Sequence, residues 1–484
     1  MGKLSGLSPE KVWKFFEEIC GIPHGSYHEK MISDYCVAFA KERGLAVWQD
    51  EAFNVVIVKE ASAGYEDREP LIVQGHLDMV CEKKADCEID FEKDGLCLAV
   101  EGDEVYAKGT TLGGDDGIAI AYALAILDDD KILHPRLEVI FTTCEEVGMD
   151  GATALDVSML QGHTMLNLDS EEEGIFLVGC AGGCSAEIVL PVVSERKKGL
   201  LVQLSVNGLK GGHSGVEIDK GRGNANRLLA QIVAELAKEV KIVLVSVKGG
   251  LKDNAIPRES HAKLLLLEEA SAETLKRAES ICQAAWDRMK ETYHKIDPDL
   301  RVELKFGEQW EGEVFSEETN QHALALLTAL PNGVICMSED IKGLVQTSLN
   351  LGIVQTTKQA LTLRYSIRSS VGEEKKTLVS QITQAVQQEG AAITLNGEYP
   401  AWEYRKESPL REKCIKIYQE MFGKAPKVEA IHAGLECGLF ASKIPDLDCI
   451  SMGPDIFQIH TTEERMSISS VERTWNFLLE ILKS

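Results

Sequence analysis

Residues 71–80, LIVQGHLDMV, decide the fold. The run Leu71–Ile72–Val73 is short and apolar with two β-branched residues, and it reads as a strand buried on both faces, as in the parallel sheets of α/β proteins. It leads into His76, a metal-competent side chain where a strand should end. Two further runs do the same: LEVIFTTCEEVGM (137–149) leads into Glu145 and Glu146, and TMLNLDS (164–170) into Asp169. In open α/β sheets ligands gather at the carboxyl ends of the strands. Three strands bringing such residues to one edge predict one site, although any of them alone would read as a core histidine or a surface carboxylate.

The stretch TTLGGDDGIA (110–119) adds Asp115, followed by an alanine- and isoleucine-rich segment, Asp116 to Leu127, that reads as a buried helix. A carboxylate at a helix start is favoured by the helix dipole, so plain N-terminal capping competes with a ligand role for Asp115. FQIHTTEE (457–464) supplies His460. Two imidazoles and three carboxylates form the ligand set of a two-metal hydrolase, because one carboxylate can bridge while each ion keeps a nitrogen and an oxygen of its own.

A chain of 484 residues holds several domains' worth of material. Its 51 basic and 77 acidic residues give a formal charge of -26, which repels phosphate backbones and anionic lipid and argues against nucleic acid or membrane partners. The 13 cysteines are odd in number and form no CxxC pair, so they read as reduced thiols. Neither a signal-peptide core nor an apolar run of membrane-spanning length occurs, and a cytoplasmic protein is expected.

Residues 1–185 read as α/β. From 186 to 399 the order strand, helix, strand, strand, helix, strand occurs almost twice, giving two βαββαβ-like units, the second incomplete at its start. From 400 to 484 the α/β pattern resumes and carries His460. The expected architecture is a discontinuous metal-binding domain with a mixed, largely parallel sheet, interrupted by an inserted α+β lid. A cleft between them is the expected substrate site.

The signatures GHLDMV, GGDDGIA, CEEVGM, NLDS, GGHSG, DNAIPRE, HAGLECGLF and HTTEE run in this order over essentially the whole chain. Together they resemble the aminoacyl-histidine dipeptidases, within the zinc exopeptidase superfamily that includes acetylornithine deacetylase and the carnosinases. The resemblance implies one metal on His76, Asp115 and Asp169 and a second on Asp115, Glu146 and His460. Zinc is the expected ion, with cobalt and manganese as alternatives. It further implies Glu145 as general base, Asp78 as the carboxylate orienting His76, and a cis bond between Asp115 and Asp116. His213 would donate to the oxyanion, Asn254 to the peptide group and Arg364 to the substrate carboxylate, with Gly434 as a backbone contact. Arg364 has a competing reading as a strand arginine in a surface salt bridge.

The implied activity is hydrolysis of unblocked dipeptides, with C-terminal histidine preferred on resemblance alone. A broader dipeptidase or an N-acyl-amino-acid amidohydrolase would use the same metals. A non-catalytic peptide- or metal-binding relative would have no need of Glu145. Side-chain preference, native metal and the choice between monomer and homodimer are not set by the sequence. In relatives with a single inserted unit a histidine comes from the partner of a dimer, and a doubled insert offers the same within one chain.

Overall fold

A computed structural model of the chain describes residues 2–484. The chain forms two compact units: one holds the residues up to Cys180 together with Tyr404–Ala430 and Leu435–Ser484, the other Ala181–Glu403 with Ile431–Gly434.

The first unit is built on an eight-stranded sheet, in the order Ala46–Gln49, Val55–Lys59, Leu137–Thr142, Leu71–His76, Thr164–Asn167, Asp448–Ser451, Ile175–Cys180, Lys427–Ile431. Its four central strands, Leu137–Thr142 to Asp448–Ser451, are mutually parallel, and their flanking partners Val55–Lys59 and Ile175–Cys180 run antiparallel to them. The sheet is therefore mixed, with parallel pairing at its centre. Every residue of Leu71–His76 and of Leu137–Thr142 is buried, as expected of strands covered on both faces. Register aligns their ends, with His76 opposite Thr142 and Gln74 opposite Asn167.

The fully buried helix Gly114–Leu127 packs on the strand Leu71–His76 and on the helix Glu10–Cys20. Gly75 permits this close approach: a Cβ there would meet Asp116 Oδ2 at 2.5 Å and the Ala119 Cβ at 2.6 Å. A small four-stranded sheet joins the two ends of the unit, pairing Ile456–Phe457 and Arg465–Ser467 with Glu104–Ala107 and Leu98–Glu101. Strands this short leave little periodicity to read in the sequence, yet they fix the loop that carries His460.

The inserted unit is built on a nine-stranded antiparallel sheet in the order Arg301–Phe315, Ser194–Asn207, Ser260–Leu266, Ile242–Gly249, Val345–Thr356, Ala360–Ser369, Gly182–Pro191, Ala392–Tyr399, with Gly333–Met337 added beside Val345–Thr356. The sequence pattern left the second βαββαβ unit without its first strand. That strand is Gly182–Pro191, which precedes the whole first unit in the chain, so one unit is threaded inside the other. Each half then has the spatial order fourth, first, third, second, and the halves meet where Lys248 and Gly249 pair with Gln355 and Val354. A continuous apolar core, with Leu204, Leu229, Leu264, Leu349, Leu363 and Ile382 among its members, runs through both halves. Helix starts are capped as their residue types demand: Asn224, Ser271 and Ser316 each accept from the backbone N–H three residues on. Among the described residues no helix is long and apolar enough to cross a membrane.

Candidate metal centre

Four segments of the first unit converge on one carboxylate. His76 Nε2 lies 3.1 Å from Asp115 Oδ1, and His460 Nε2 lies 3.1 Å from Asp115 Oδ2. Asp115 thus sits between the two imidazoles with one oxygen toward each. Asp169 Oδ1 is 3.4 Å from His76 Nε2, and Glu146 Oε1 is 3.0 Å from His460 Nε2. All five residues named as ligands from the sequence come together here. The peptide bond between Asp115 and Asp116 is cis, as the resemblance implied. Cys144 (φ 55) and His460 (φ 61) occupy the left-handed region that non-glycine residues seldom adopt, placing backbone strain beside the site.

Asp78 does more than orient His76. The His76 Nδ1 faces the Asp78 carbonyl oxygen at 2.9 Å and its carboxylate at 3.5 Å. The same carboxylate accepts from Ser26 Oγ at 2.8 Å and from the backbone N–H groups of Glu145 at 3.0 Å and Glu146 at 3.3 Å. It therefore ties the turn bearing the glutamate pair to the strand bearing the histidine.

The capping alternative for Asp115 can be set aside on geometry. The helix start is served by Glu464, whose carboxylate accepts from the N–H groups of Leu112 (2.7 Å), Gly113 (3.2 Å) and Gly114 (2.8 Å). Asp116, for its part, accepts from the His76 N–H at 3.0 Å. Sequence reasoning assigned neither residue a task, although Glu464 lies within the HTTEE signature.

The electrostatics are those of a site built for cations. Asp78, Asp115, Asp116, Glu145, Glu146 and Asp169 crowd around two imidazoles, and only protons or metal ions can balance them. Burial pushes Asp169 up to about 6 and Glu145 well above the usual carboxylate range, the latter helped by the charge of Asp169. Burial would also raise Asp115, but hydrogen bonds from His460 and His76 outweigh it and hold it low. His460, hydrogen-bonded to Asp115 and close to the Glu146 carboxylate, rises to about 10. Glu146 Oε1 is buried and accepts no well-directed hydrogen bond despite its nearness to His460, as befits an oxygen kept for a metal. Two overlapping donor groups, His76–Asp115–Glu146 and His76–Asp116–Asp169, each have ligand atoms within 4.8 Å of one another. The donor set, nitrogen and carboxylate oxygen, fits zinc-like ions.

The inserted unit gathers its own cluster. Gly212–His213 pairs with Ala255–Ile256, and the Ser214 N–H donates to the Asn254 carbonyl at 2.9 Å, so His213 and Asn254 are neighbours. His213 Nδ1 accepts from the N–H groups of Gly215 and Val216, both at 3.3 Å. A neutral ring whose Nδ1 accepts must carry its proton on Nε2, which makes that nitrogen a donor. The turn depends on Gly215, where a Cβ would lie 2.6 Å from the His432 carbonyl oxygen. Gly434 is half-buried in the same short segment as His432.

Arg364 does not join this cluster. It lies opposite Glu187 in register, and its Nε and Nη2 each lie 2.6 Å from that carboxylate, so the competing surface-pair reading describes its contacts. Four residues on, Arg368 is buried. Its Nη1 donates to the Tyr399 hydroxyl at 2.8 Å while its Nε has no partner, and its charge helps to lower His213. Two arginines in one strand motif look alike in sequence, and burial and the Glu187 pairing separate them.

His432 Nε2 lies 2.7 Å from Ser348 Oγ, and burial, with the charge of Arg368, lowers its ring to about 4. Between pH 6.5 and 4 the unfolded chain takes up a proton that the folded one refuses, so stability present above pH 6.5 is lost as pH falls. The loss should total about 3 kcal/mol. Hydrogen exchange of the strand Val345–Thr356 at pH 7 and 4 checks this. The decline should be shallower by that amount in His432→Gln, and equal declines would remove His432 as its source.

Fold and site define a metal-dependent hydrolase. The sequence profile of peptidase family M20/M25/M40 matches residues 72–484, and the chain belongs to that family. The cytosol non-specific dipeptidase of Escherichia coli (strain K12) is 40% identical over 485 residues, covering 100% of this chain and 99% of that protein. The crystal structure of aminoacylhistidine dipeptidase from Vibrio alginolyticus matches with a TM-score of 0.92 at 36% identity, covering 99% of this chain and 97% of that one. An aminopeptidase from Bacillus cereus, 14% identical with a TM-score of 0.56 and covering 99% of this chain and 98% of that one, shares the fold.

Proposed function

We propose that this chain is a cytosolic dipeptidase that hydrolyses unblocked dipeptides, Xaa-His among them, using two divalent cations, in the first place zinc. The observation that carries this is Asp115 placed between His76 and His460, with Asp169 on the His76 side and Glu146 on the His460 side. His76, Asp115 and Asp169 would hold one ion and Asp115, Glu146 and His460 the other. When bound, such a pair polarises the scissile carbonyl and acidifies the attacking water. The names of the two full-length relatives, a non-specific dipeptidase and an aminoacylhistidine dipeptidase, support the substrate class.

The rest is the work of the chain's own residues. Glu145, whose affinity for a proton is raised by burial, takes the proton of the attacking water and passes it to the leaving amine. From the inserted unit, His213 with its proton on Nε2 supplies an oxyanion donor, Asn254 a contact to the peptide group, and Gly434 a backbone contact. For the substrate's free carboxylate, Arg368 is the better candidate than Arg364, because it is buried with an unpartnered Nε while Arg364 is occupied by Glu187.

Arg368→Ala should weaken kcat/KM for dipeptides relative to their C-terminal amides by about 10–100-fold, the worth of a charge-assisted pair. Arg364→Ala should leave that ratio within about 2-fold, as expected for an exposed ion pair. The reverse outcome would return the clamp to Arg364. For the function itself, the test is a panel of dipeptides, carnosine and N-acetylated amino acids assayed with metal-reconstituted protein. Turnover of the free dipeptides is expected, and turnover confined to the acetylated compounds would instead make the chain an amidohydrolase.

A further inference from the structure

One pleat below the ligands, the three ligand-bearing strands carry a row of buried polar side chains. Gln74 lies two residues before His76, Asn167 two before Asp169, and Thr142 three before Glu145. None of the three is more than 1% exposed. Glu436, in the first turn of the helix Glu436–Lys443 and itself 0% exposed, reaches into this row. Its Oε2 accepts from Gln74 Nε2 and from Thr142 Oγ1, both at 2.6 Å, and Gln74 Oε1 accepts from Asn167 Nδ2 at 2.6 Å. A single hydrogen-bonded network therefore crosses all three strands and is closed by one residue from the distant helix Glu436–Lys443.

The network is short of donors. Glu436 Oε1 and Asn167 Oδ1 are buried and have no partner. A charged carboxylate would bring only acceptors to such a place, and an unpaired charge there is costly. A proton on Oε1 removes that charge while Oε2 keeps both of its donors. Burial acts in the same direction, pushing the Glu436 carboxyl up to about 8 against the pull of His76.

We propose that Glu436 is a positioning residue: an uncharged carboxyl that straps Gln74, Thr142 and Asn167 together and thereby sets the spacing of the strand ends bearing His76, Glu145, Glu146 and Asp169. It touches neither metal nor substrate. Its effect on the reaction passes through the geometry of the ligands. The proposal rests on reading the site as a metal centre.

The test is zinc affinity of the full chain, measured by competition with a chelator, alongside kcat and a circular-dichroism melt. Glu436→Gln keeps the shape and supplies an N–H where the acid has its O–H, so zinc affinity and kcat should stay within about 3-fold of the wild type. Glu436→Met fills the space but cuts the strap, and zinc affinity should fall about 10–100-fold, as for other residues that support metal ligands. Loss of zinc in Glu436→Gln comparable to that in Glu436→Met would show that the negative charge is what matters and would overturn the proposal. Wild-type affinity in a folded Glu436→Met would overturn it as well. If that variant does not fold, Thr142→Val and Gln74→Met decide: weaker zinc binding in both supports the strap, and unchanged binding refutes it. Failure of the metal reading is seen separately, as failure of the wild type to bind zinc at all.

Discussion

Glu145→Gln should lower turnover by about 10²–10⁴-fold while leaving metal content and fold intact. The substitution removes a proton acceptor and little else. The turn that carries Glu145 is held through its backbone N–H by Asp78, not through its own side chain, so an amide of the same shape disturbs no structural contact. The neighbouring Glu146 points to His460 and remains free to bind metal. Glu171 is the control, a carboxyl raised to about 8 by burial and by Asp115 and Asp169, and therefore another acid that could be mistaken for the base. Glu171→Gln should keep most of the activity. Near-normal kcat in Glu145→Gln with full metal content by elemental analysis, or a collapse in Glu171→Gln instead, would move the base.

Four of the five proposed ligands, His76, Asp115, Glu146 and Asp169, were legible because each follows a buried strand or opens a buried helix, and such segments leave a strong apolar signal in the sequence, whereas His460, on a loop after the two-residue strand Ile456–Phe457, was reached through its signature alone. The parallel centre of the sheet could be read for the same reason. What escaped the sequence has in common that its partner lies far along the chain. Glu464 caps a helix that begins 350 residues earlier, at Gly114, and no local pattern announces such a contact. Glu436 stands 362 residues from Gln74. The missing first strand of the second βαββαβ unit was hidden by a complete unit inserted between it and its mates. Arg364 and Arg368 share one strand and one face, four residues apart, so the period-two rule cannot rank them. Only the cross-strand position of Glu187 and the burial of Arg368 tell them apart.

Asp115→Ala should cost the chain both metals and with them all measurable turnover. The argument is one of shared ligands. Removal of Asp169 leaves the proposed set Asp115, Glu146 and His460 whole, and removal of Glu146 leaves His76, Asp115 and Asp169 whole, so each of those variants should retain one ion per chain. Asp115 presents Oδ1 to the side of His76 and Oδ2 to the side of His460, and its loss strips an oxygen from both positions at once. It also removes the anion that most strongly holds the His460 imidazole in its protonated form without metal, so the His460 pKa should fall from its value of about 10 toward the ordinary range. Elemental analysis after dialysis reads the stoichiometry, with two zinc ions expected in the wild type and none in Asp115→Ala. Thermal melting gives a second measure: zinc at 1,000 times its Kd should stabilise the wild type by about 4 kcal/mol per site and leave Asp115→Ala unmoved. One tightly held ion surviving in Asp115→Ala would mean that the carboxylate between the two imidazoles serves a single position, and the two-metal reading of the site would fail with it.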